Sequence, residues 1–586
     1  MDQDGLLHRP RPREGAEPYE LSEPAEGVAA GRGAGSSMDA SAMELEVEEA
    51  VTAVVVSAGA GPTQSRGWVA WVCLLGVLLV AAVPMGVAWS VVEGVSADEA
   101  RALGMATQTL ERAERFEAAG DAWSLEHVVP TREGRAALDA WPGVPWLQAW
   151  VLSLGDGVDA ANEKGGADRL RLVGVIAGLV LVASAFWAGL SVGGLLTAGL
   201  SGLIASAMPA LVWWSVTIDP GVVVAGWVGL SLASALWASR PLRPTPALGR
   251  QALGWLICGL ALGAAALSAG PRAALLVVVP LFLMIVLVPG RVGHTLGLLA
   301  ALCVATLCVT PWALEVHQQD PAVWESWVVG LQPEGWAWMR EQVAVVTGTQ
   351  PADAVSGTGL AWLEGWGWRA GWAAILLGLW VVWLPAGVGQ AFSTSSRRAL
   401  GGGGGEAKSV RVSPLAVARR RMLLGWLWTA STLALVLGFP VGAGVVAALP
   451  LVAAVAVLLG ATFRQFHDLS AEGRHARLWR WTRWAPSAGL VVLSVVLPLA
   501  CWRQADLLEG GWLERAWVTP MHWAYWAGGG VAMLGVSVGA ARFAQGHHPA
   551  RAVGGWCLWV VLTTALAWPV VVGWGDGGAI VVMGGG

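Results

Sequence analysis

The sequence predicts an all-α polytopic membrane protein with roughly thirteen transmembrane helices, and interfacial helices in a long first extracytoplasmic loop. Of its 586 residues, 55% are hydrophobic and 13% are charged, whereas soluble globular chains carry about 25% charged residues. Apolar runs of about 20 residues, long enough to cross about 30 Å of hydrocarbon, recur along the chain. Most arginines outside the tail and the first long loop fall in alternate loops between these runs, which is typical of cytoplasmic loops.

The first apolar run, "GWVAWVCLLGVLLVAAVPMGVAWSVV" at residues 67–92, predicts a membrane anchor. Residues 1–66 are rich in Gly, Ala, Glu and Pro and predict a disordered cytoplasmic tail. A cleavable signal peptide would have its apolar run much nearer the terminus. Further predicted spans centre near residues 180, 200, 230, 260, 280, 303, 379, 432, 453, 493, 533 and 563.

The basic loops orient the chain with its N-terminus in the cytoplasm. The sequence then predicts a membrane core at residues 67–391, a Gly- and Arg-rich cytoplasmic linker at 392–420 and C-terminal spans at 421–586. Two long segments of the core, 93–168 and 315–368, lie outside the cytoplasm. Lysine occurs at two positions against abundant arginine, which indicates a GC-rich bacterial genome.

Composition also excludes several classes of function. The net charge of −5 is small for this length and does not favour a nucleic-acid partner. The six cysteines lie in or beside apolar runs without zinc-ligand spacing, so neither a disulfide framework nor a zinc site is predicted.

The first long loop contains two predicted helices. "ARALGMATQTLERAERFEAAG", residues 100–120, has apolar positions at helical spacing and too many charges to cross a bilayer, which favours an interfacial helix. "WPGVPWLQAWVLSLG", residues 141–155, is apolar but short, which predicts a second helix at the membrane surface.

Charged side chains follow the predicted spans at three turns on the extracytoplasmic side. Asp98 and Glu99 follow the first span, Asp219 ends the third, and Arg272 lies between the fifth and the sixth. Ionisable residues at membrane depth are costly, so these four are candidates for a functional site.

Each of these residues also has a structural explanation. Glu99 fits a capping box with Ser96, in which Asp98 would favour the positive end of the helix dipole. Asp219 fits a helix cap that precedes a proline at the first helical position. Arg272 fits an interfacial residue that contacts lipid phosphate.

Six motifs in order resemble those of the GT-C membrane glycosyltransferases, of the protein O-mannosyltransferase and aminoarabinose transferase type. The resemblance covers roughly residues 67–390, and it depends on the order of the motifs because none of them is specific by itself. The motifs are "ADEA" (97–100), "WPGVPWLQAW" (141–150), "DRLRLVGVIAGLVLV" (168–182), "TIDP" (217–220), "LSAGPRAALLVVVPL" (267–281) and "TPWAL" (310–314).

The resemblance implies an inverting transfer of a hexosyl or pentosyl group from a polyprenyl-phosphate donor to an acceptor hydroxyl, at the outer face of the inner membrane. The acceptor would belong to a protein, a lipid or a polysaccharide. Asp98 corresponds to the general base of the family, Glu99 supports it, and Asp219 contributes to substrate binding. A carboxylate at the membrane surface is suited to this proton transfer.

The chain departs from the family pattern at the cations that hold the donor phosphate. The lysine before the family's pair of prolines is absent, with Gly143 and Val144 in that region, and Ala269 stands where the family has a second lysine. A leaving phosphate needs a fixed cation, and we expect Arg272, Arg132 or Arg135 to supply it.

Two other functions stay open. The missing lysines also fit a catalytically inert relative that binds lipid-linked glycan. A multi-pass transporter is the third hypothesis, although such proteins usually carry ionisable groups near the membrane centre and repeated halves, which this sequence lacks. Two adjacent carboxylates are too few to predict a metal site, which leaves a divalent cation open.

Overall fold

The computed structural model describes a helical membrane protein. The described residues are 67–91, 97–119, 131–132, 135–136, 141–154, 164–218, 220–239, 248–287, 291–319, 321, 428, 449–471, 531–542 and 549–574. They belong to one compact unit, Pro62–Gly586. The predicted tail, the cytoplasmic linker and the spans centred near residues 379, 432 and 493 lie outside the described residues.

The elements follow one another in chain order as helices with one small hairpin. They are α1 (Gly67–Val91), α2 (Ala97–Ala119), β1 (Thr131–Arg132), β2 (Arg135–Ala136), α3 (Gly143–Ser153), α4 (Lys164–Gly193), α5 (Leu195–Ser206), α6 (Pro209–Ser215), α7 (Pro220–Ala238), α8 (Leu248–Ala269), α9 (Pro271–Leu287), α10 (Arg291–Gln319), α11 (Pro450–Ala471), α12 (Val531–Arg542) and α13 (Pro549–Trp574). The predicted loop helices are thus present as α2 and α3.

Within the described ranges, five helices are long and apolar enough to cross a membrane. They are α1, α4, α7, α8 and α10, and the pair α5–α6 adds a sixth if it is counted as one span. Spans at these positions agree with the prediction, whereas the total of thirteen stays a prediction.

The span centred near residue 200 is broken into α5 and α6, which are bent by 62°. The break falls at Met208, whose backbone is extended (φ −87°, ψ 115°), and Pro209 then begins α6. A residue before proline is disfavoured in the helical conformation, and proline lacks the N–H that a continuous helix would use. Pro209 therefore determines where the span bends.

Glycines of α4 allow this broken span to pack closely against it. A Cβ at Gly174 would lie 2.6 Å from the carbonyl oxygen of Ser215 in α6, and a Cβ at Gly189 would lie 2.7 Å from Oγ of Ser201 in α5. Transmembrane helices approach closely where small residues line the interface. The broken span is thereby held along the length of α4.

The opposite end of α4 is fixed by a residue from the C-terminal part of the chain. Arg464 of α11 donates a hydrogen bond to the carbonyl of Gly193, the last residue of α4. A guanidinium at this position satisfies a carbonyl that has no partner within its helix and complements the negative end of the helix dipole.

The hairpin β1–β2 departs from the all-α prediction. Its strands pair antiparallel, with Thr131 opposite Ala136 and Arg132 opposite Arg135. The backbone of β1 contacts α2. Two of the arginines expected to bind phosphate therefore lie directly across from each other in the loop that follows α2.

Candidate active site

The acidic pair of the first loop lies in the first turn of α2. Glu99 is 6% exposed, and its carboxylate forms a buried ion pair with Arg171 of α4, which is 2% exposed. Two contacts join them, from Nε to Oε1 at 3.5 Å and from Nη2 to Oε2 at 3.4 Å. This pair fixes the beginning of α2 on the beginning of α4.

Glu99 also connects the acidic pair to the turn that contains the predicted Asp219. The backbone N–H of Ile218 donates to Oε1 of Glu99 at 3.2 Å. Asp219 lies outside the described residues, but the residue before it is thus in direct contact with the residue after Asp98. The helix that follows begins at Pro220, which agrees with the predicted proline at the first helical position.

Asp168 extends this network to the first span. Its Oδ1 accepts from Nη1 of Arg171 at 3.2 Å and from Nε1 of Trp89 at 3.4 Å. Trp89 belongs to the last turn of α1, so one network joins the end of α1 to the beginnings of α2 and α4 and to the turn after α6.

A small apolar cluster lies beneath the network. It joins α2, α3 and α4 to the turn before α7. Burial of these apolar side chains stabilises the packing of the elements in addition to the ion pair. Its buried members are Ala106, Leu110, Ala149, Leu152, Ala167, Leu170 and Ile218.

The motifs of α3, α8 and α10 meet in a second group of contacts. Gly270 directly follows α8 with a left-handed backbone (φ +71°), and a Cβ there would collide with the indole of Trp141. The ring of Trp141 lies 5.1 Å from that of Trp312, which belongs to the predicted "TPWAL" motif. Helix α3 joins the two groups, because it contributes Ala149 to the apolar cluster and Gly143 to the packing against α8.

Gly143 packs closely against the backbone of α8. A Cβ at Gly143 would lie 2.8 Å from Oγ of Ser268 and 2.9 Å from the carbonyl carbon of Leu267. The backbone of α8 therefore occupies the space that a side chain at this position would need. A side chain larger than hydrogen at position 143 therefore has no room in this chain.

The structure locates the other predicted residues by their backbones. Asp98 is the second residue of α2, Arg272 the second residue of α9, and Arg132 and Arg135 belong to the hairpin. Arg272 is thus two residues after Gly270, and it is Gly270 that contacts Trp141.

Sequence reasoning missed the partners of Glu99. Asp168 and Arg171 belong to the motif that begins "DRLR", which by itself predicts no role for either residue. Two arginines in the first turns of an apolar span are a detectable signal, because charges at such depth need a partner. The alternative of a capping box for Glu99 involves Ser96, which lies outside the described residues.

No metal centre is evident in the part of the chain that the structure describes. In those ranges, no group of three or more His, Cys, Asp or Glu side chains converges.

The sequence matches no protein-family model and no curated protein. The chain is similar to two solved structures of ArnT from Cupriavidus metallidurans. With ArnT bound to undecaprenyl phosphate it shares 18% identity at a TM-score of 0.57, over 88% of this chain and 80% of that one. With the apo state it shares 17% identity at a TM-score of 0.56, over 89% and 80%. The chain has the fold of ArnT. This likeness confirms the predicted GT-C fold.

Proposed function

We propose that this protein is a membrane glycosyltransferase of the protein O-mannosyltransferase and aminoarabinose transferase type. It moves a sugar from a polyprenyl-phosphate donor to an acceptor hydroxyl on the outer face of the bacterial inner membrane. The observation that carries the proposal is the contact of Glu99 with the N–H of Ile218. It supports a shared site for two acidic motifs in a chain whose fold is that of ArnT, which has been solved with undecaprenyl phosphate.

In this proposal Asp98 is the general base. Its carboxylate accepts the proton of the acceptor hydroxyl as the oxygen attacks C1 of the sugar. The bond from C1 to the phosphate oxygen breaks, and its electron pair leaves with the lipid phosphate. A single displacement of this kind inverts the configuration at C1.

Glu99 supports Asp98 as a positioning residue. Its carboxylate is engaged by Arg171 and by the N–H of Ile218. Asp219 directly follows Ile218, so the same contact favours a role for Asp219 in substrate binding at that turn.

Arg272, Arg132 and Arg135 are assigned to the donor phosphate. The register of the hairpin supports the pair Arg132 and Arg135, because it places the two residues directly opposite each other. Guanidinium groups suit phosphate oxygens.

A catalytically inert relative that binds lipid-linked glycan is the second candidate. The close packing at Gly143, in the region where the family pattern has a lysine, favours it. This candidate predicts that no polyprenyl-phosphate sugar is consumed, whatever acceptor is present.

Substitution of the base separates the two candidates. Membranes that contain the full-length protein would be given undecaprenyl phosphate that carries mannose, glucose or aminoarabinose, each in turn, and the release of undecaprenyl phosphate would be measured. We expect Asp98→Asn to lower the transfer rate about 10²- to 10⁴-fold at unchanged expression, which is the usual contribution of a general base. Glu111→Gln, an exposed change on the same helix, is the control. Transfer retained in Asp98→Asn would contradict the role of Asp98, and no consumption by the wild type would favour the inert relative.

A further inference from the structure

Gly174 lies on the face of α4 that also carries Arg171. Residues three apart share one face of a helix, and these two lie about 4.5 Å apart along its axis. Arg171 forms the ion pair with Glu99, and a Cβ at Gly174 would lie 2.6 Å from the carbonyl oxygen of Ser215. One turn of α4 therefore contacts both Glu99 and the turn that follows α6, residues 215–218.

The 215–218 turn meets Gly174 through backbone atoms. Besides the carbonyl oxygen of Ser215, a Cβ at Gly174 would meet the carbonyl oxygen of Thr217, at 3.1 Å. A side chain can change its rotamer to make room, whereas these carbonyls move only with the turn itself. Glycine within a helix costs stability relative to alanine, and the close approach of the turn gives a physical reason for glycine at this position.

The same turn contacts the acidic pair of α2. The hydroxyl of Thr217 donates to the carbonyl of Trp214 at 3.1 Å, which holds the turn on α6. The N–H of the next residue, Ile218, donates to Oε1 of Glu99 at 3.2 Å. Because Thr217 and Ile218 are adjacent, a backbone shift forced by a side chain at position 174 would displace this N–H.

Close packing of membrane helices does not by itself explain the contact at Gly174. At Gly178, one turn further along α4, a Cβ would meet Oγ and Cβ of Ser215 and Cε of Met85, which are side-chain atoms. At Gly174 the three nearest atoms all belong to the backbone of Ser215 and Thr217. A methyl group at position 174 therefore acts on the path of the turn, and not only on the packing of its side chains.

We propose that Gly174 is a positioning residue of the site, and this inference rests on the proposed function. The missing side chain lets the 215–218 turn approach α4 closely enough for the N–H of Ile218 to reach Glu99, which Arg171 also contacts. Asp219 directly follows Ile218, so this approach also fixes the backbone position from which Asp219 acts. A reaction that needs several groups in one geometry loses rate steeply when one of them is misplaced.

Alanine variants test this role in the transfer assay described above, with turnover expressed per folded protein. Folded protein is measured by thermal unfolding, followed by tryptophan fluorescence. We expect Gly174→Ala to lower kcat/KM about 10- to 100-fold, the effect of a misplacement of about 1 Å. Loss of folded protein alone would leave kcat/KM per folded protein unchanged, so this readout separates positioning from stability.

Two glycine variants are the controls. Gly254→Ala has a similar steric conflict at the opposite end of α7 from the turn, because its Cβ would lie 2.7 Å from Cβ of Ala238 and 3.1 Å from the carbonyl oxygen of Ser234. It should lower stability but leave kcat/KM per folded protein within about twofold of the wild type, as expected for a distant site. Gly165→Ala, with open space around it on α4, controls for the added methyl group.

A second pair of variants acts on the turn through a side chain. Gly178→Ala would drive its Cβ into Oγ of Ser215, and we expect a loss of about 3- to 10-fold in kcat/KM. Ser215→Ala removes that oxygen, which has no hydrogen-bond partner, so the change itself breaks no hydrogen bond. It should restore most of the activity of Gly178→Ala but not that of Gly174→Ala. This pair decides the question if Gly174→Ala does not fold.

Three results would overturn the positioning role. The first is equal kcat/KM per folded protein in Gly174→Ala and Gly254→Ala. The second is a Gly178→Ala variant that loses no activity, or whose loss Ser215→Ala does not relieve. The third is full restoration of Gly174→Ala by Ser215→Ala, which would assign the effect to side-chain packing. A wild type that transfers no sugar from any donor would instead contradict the proposed function, and this inference with it.

Discussion

Removal of the Glu99 carboxylate tests whether the buried pair with Arg171 holds the site together. Glu99→Ala leaves the Arg171 guanidinium, 2% exposed, without the contacts at 3.4 and 3.5 Å. It also removes the acceptor that the N–H of Ile218 uses at 3.2 Å. The guanidinium of Arg171 and the N–H of Ile218 are then buried donors that have lost the Glu99 carboxylate as an acceptor.

The expected cost follows from this burial. Breaking a buried ion pair by removal of one partner costs about 3–5 kcal/mol, because the other charge stays buried. Asp168 still faces Arg171 at 3.2 Å, so we expect the lower end, about 3 kcal/mol of the free energy of unfolding. Arg171→Met should cost a similar amount. The double variant Glu99→Ala with Arg171→Met removes both charges, so its cost should fall short of the sum of the two single costs by about 2 kcal/mol.

Urea unfolding of the full-length protein in mild detergent, followed by tryptophan fluorescence, measures these values. Glu111→Gln is the control, because Glu111 and Arg115 form an exposed pair on the same helix with side chains 38% and 74% exposed. An exposed pair of this kind contributes about 0.5 kcal/mol or less. Costs of Glu99→Ala and Glu111→Gln that are equal, or additive costs in the double variant, would refute the reasoning.

Two further substitutions test the packing around the site and at the opposite end of α4. Gly270→Ala should destabilise the protein by about 2–4 kcal/mol, since it combines left-handed strain with a collision with Trp141. Gly104→Ala, in the interior of α2 with open space around it, should stabilise by about 0.5–1 kcal/mol, and thermal unfolding of the pair reports the opposite signs. Arg464→Met should cost about 1–3 kcal/mol through loss of the bond to the Gly193 carbonyl. The exposed Arg542→Met should change stability by less than about 0.5 kcal/mol, and equal effects of the two arginine variants would contradict the cap.

Hydropathy and motif order predicted much of the fold. The spans near residues 180, 230, 260 and 303 appear as α4, α7, α8 and α10, because apolar runs of this length have few alternatives to a membrane helix. The bend between α5 and α6 was not predicted, although Pro209 marks it. Hydropathy averaged over a whole span does not detect a local break in the helix, since the residues on both sides of the break are apolar.

The sequence predicted the acidic turns of the candidate site, but not the residues that pair with Glu99. Glu99 has a local explanation as part of a capping box, whereas Arg171 is 72 residues away in the sequence and Ile218 is 119 residues away. Local patterns carry no information on such contacts, which tertiary packing decides. The roles of Asp98, Asp219 and Arg272 stay predictions.

The partners of Glu99 also set an order of assembly during synthesis. Glu99 leaves the ribosome well before Arg171 and Ile218, which belong to α4 and to the turn after the broken span. Helix α2 therefore cannot reach its native position until the chain has been made as far as residue 218 and α4 to α6 have entered the bilayer. The charged and apolar residues of α2 are those of an amphipathic segment, which suits the membrane surface in the meantime. The site is completed late, by insertion of the spans rather than by folding of the loop.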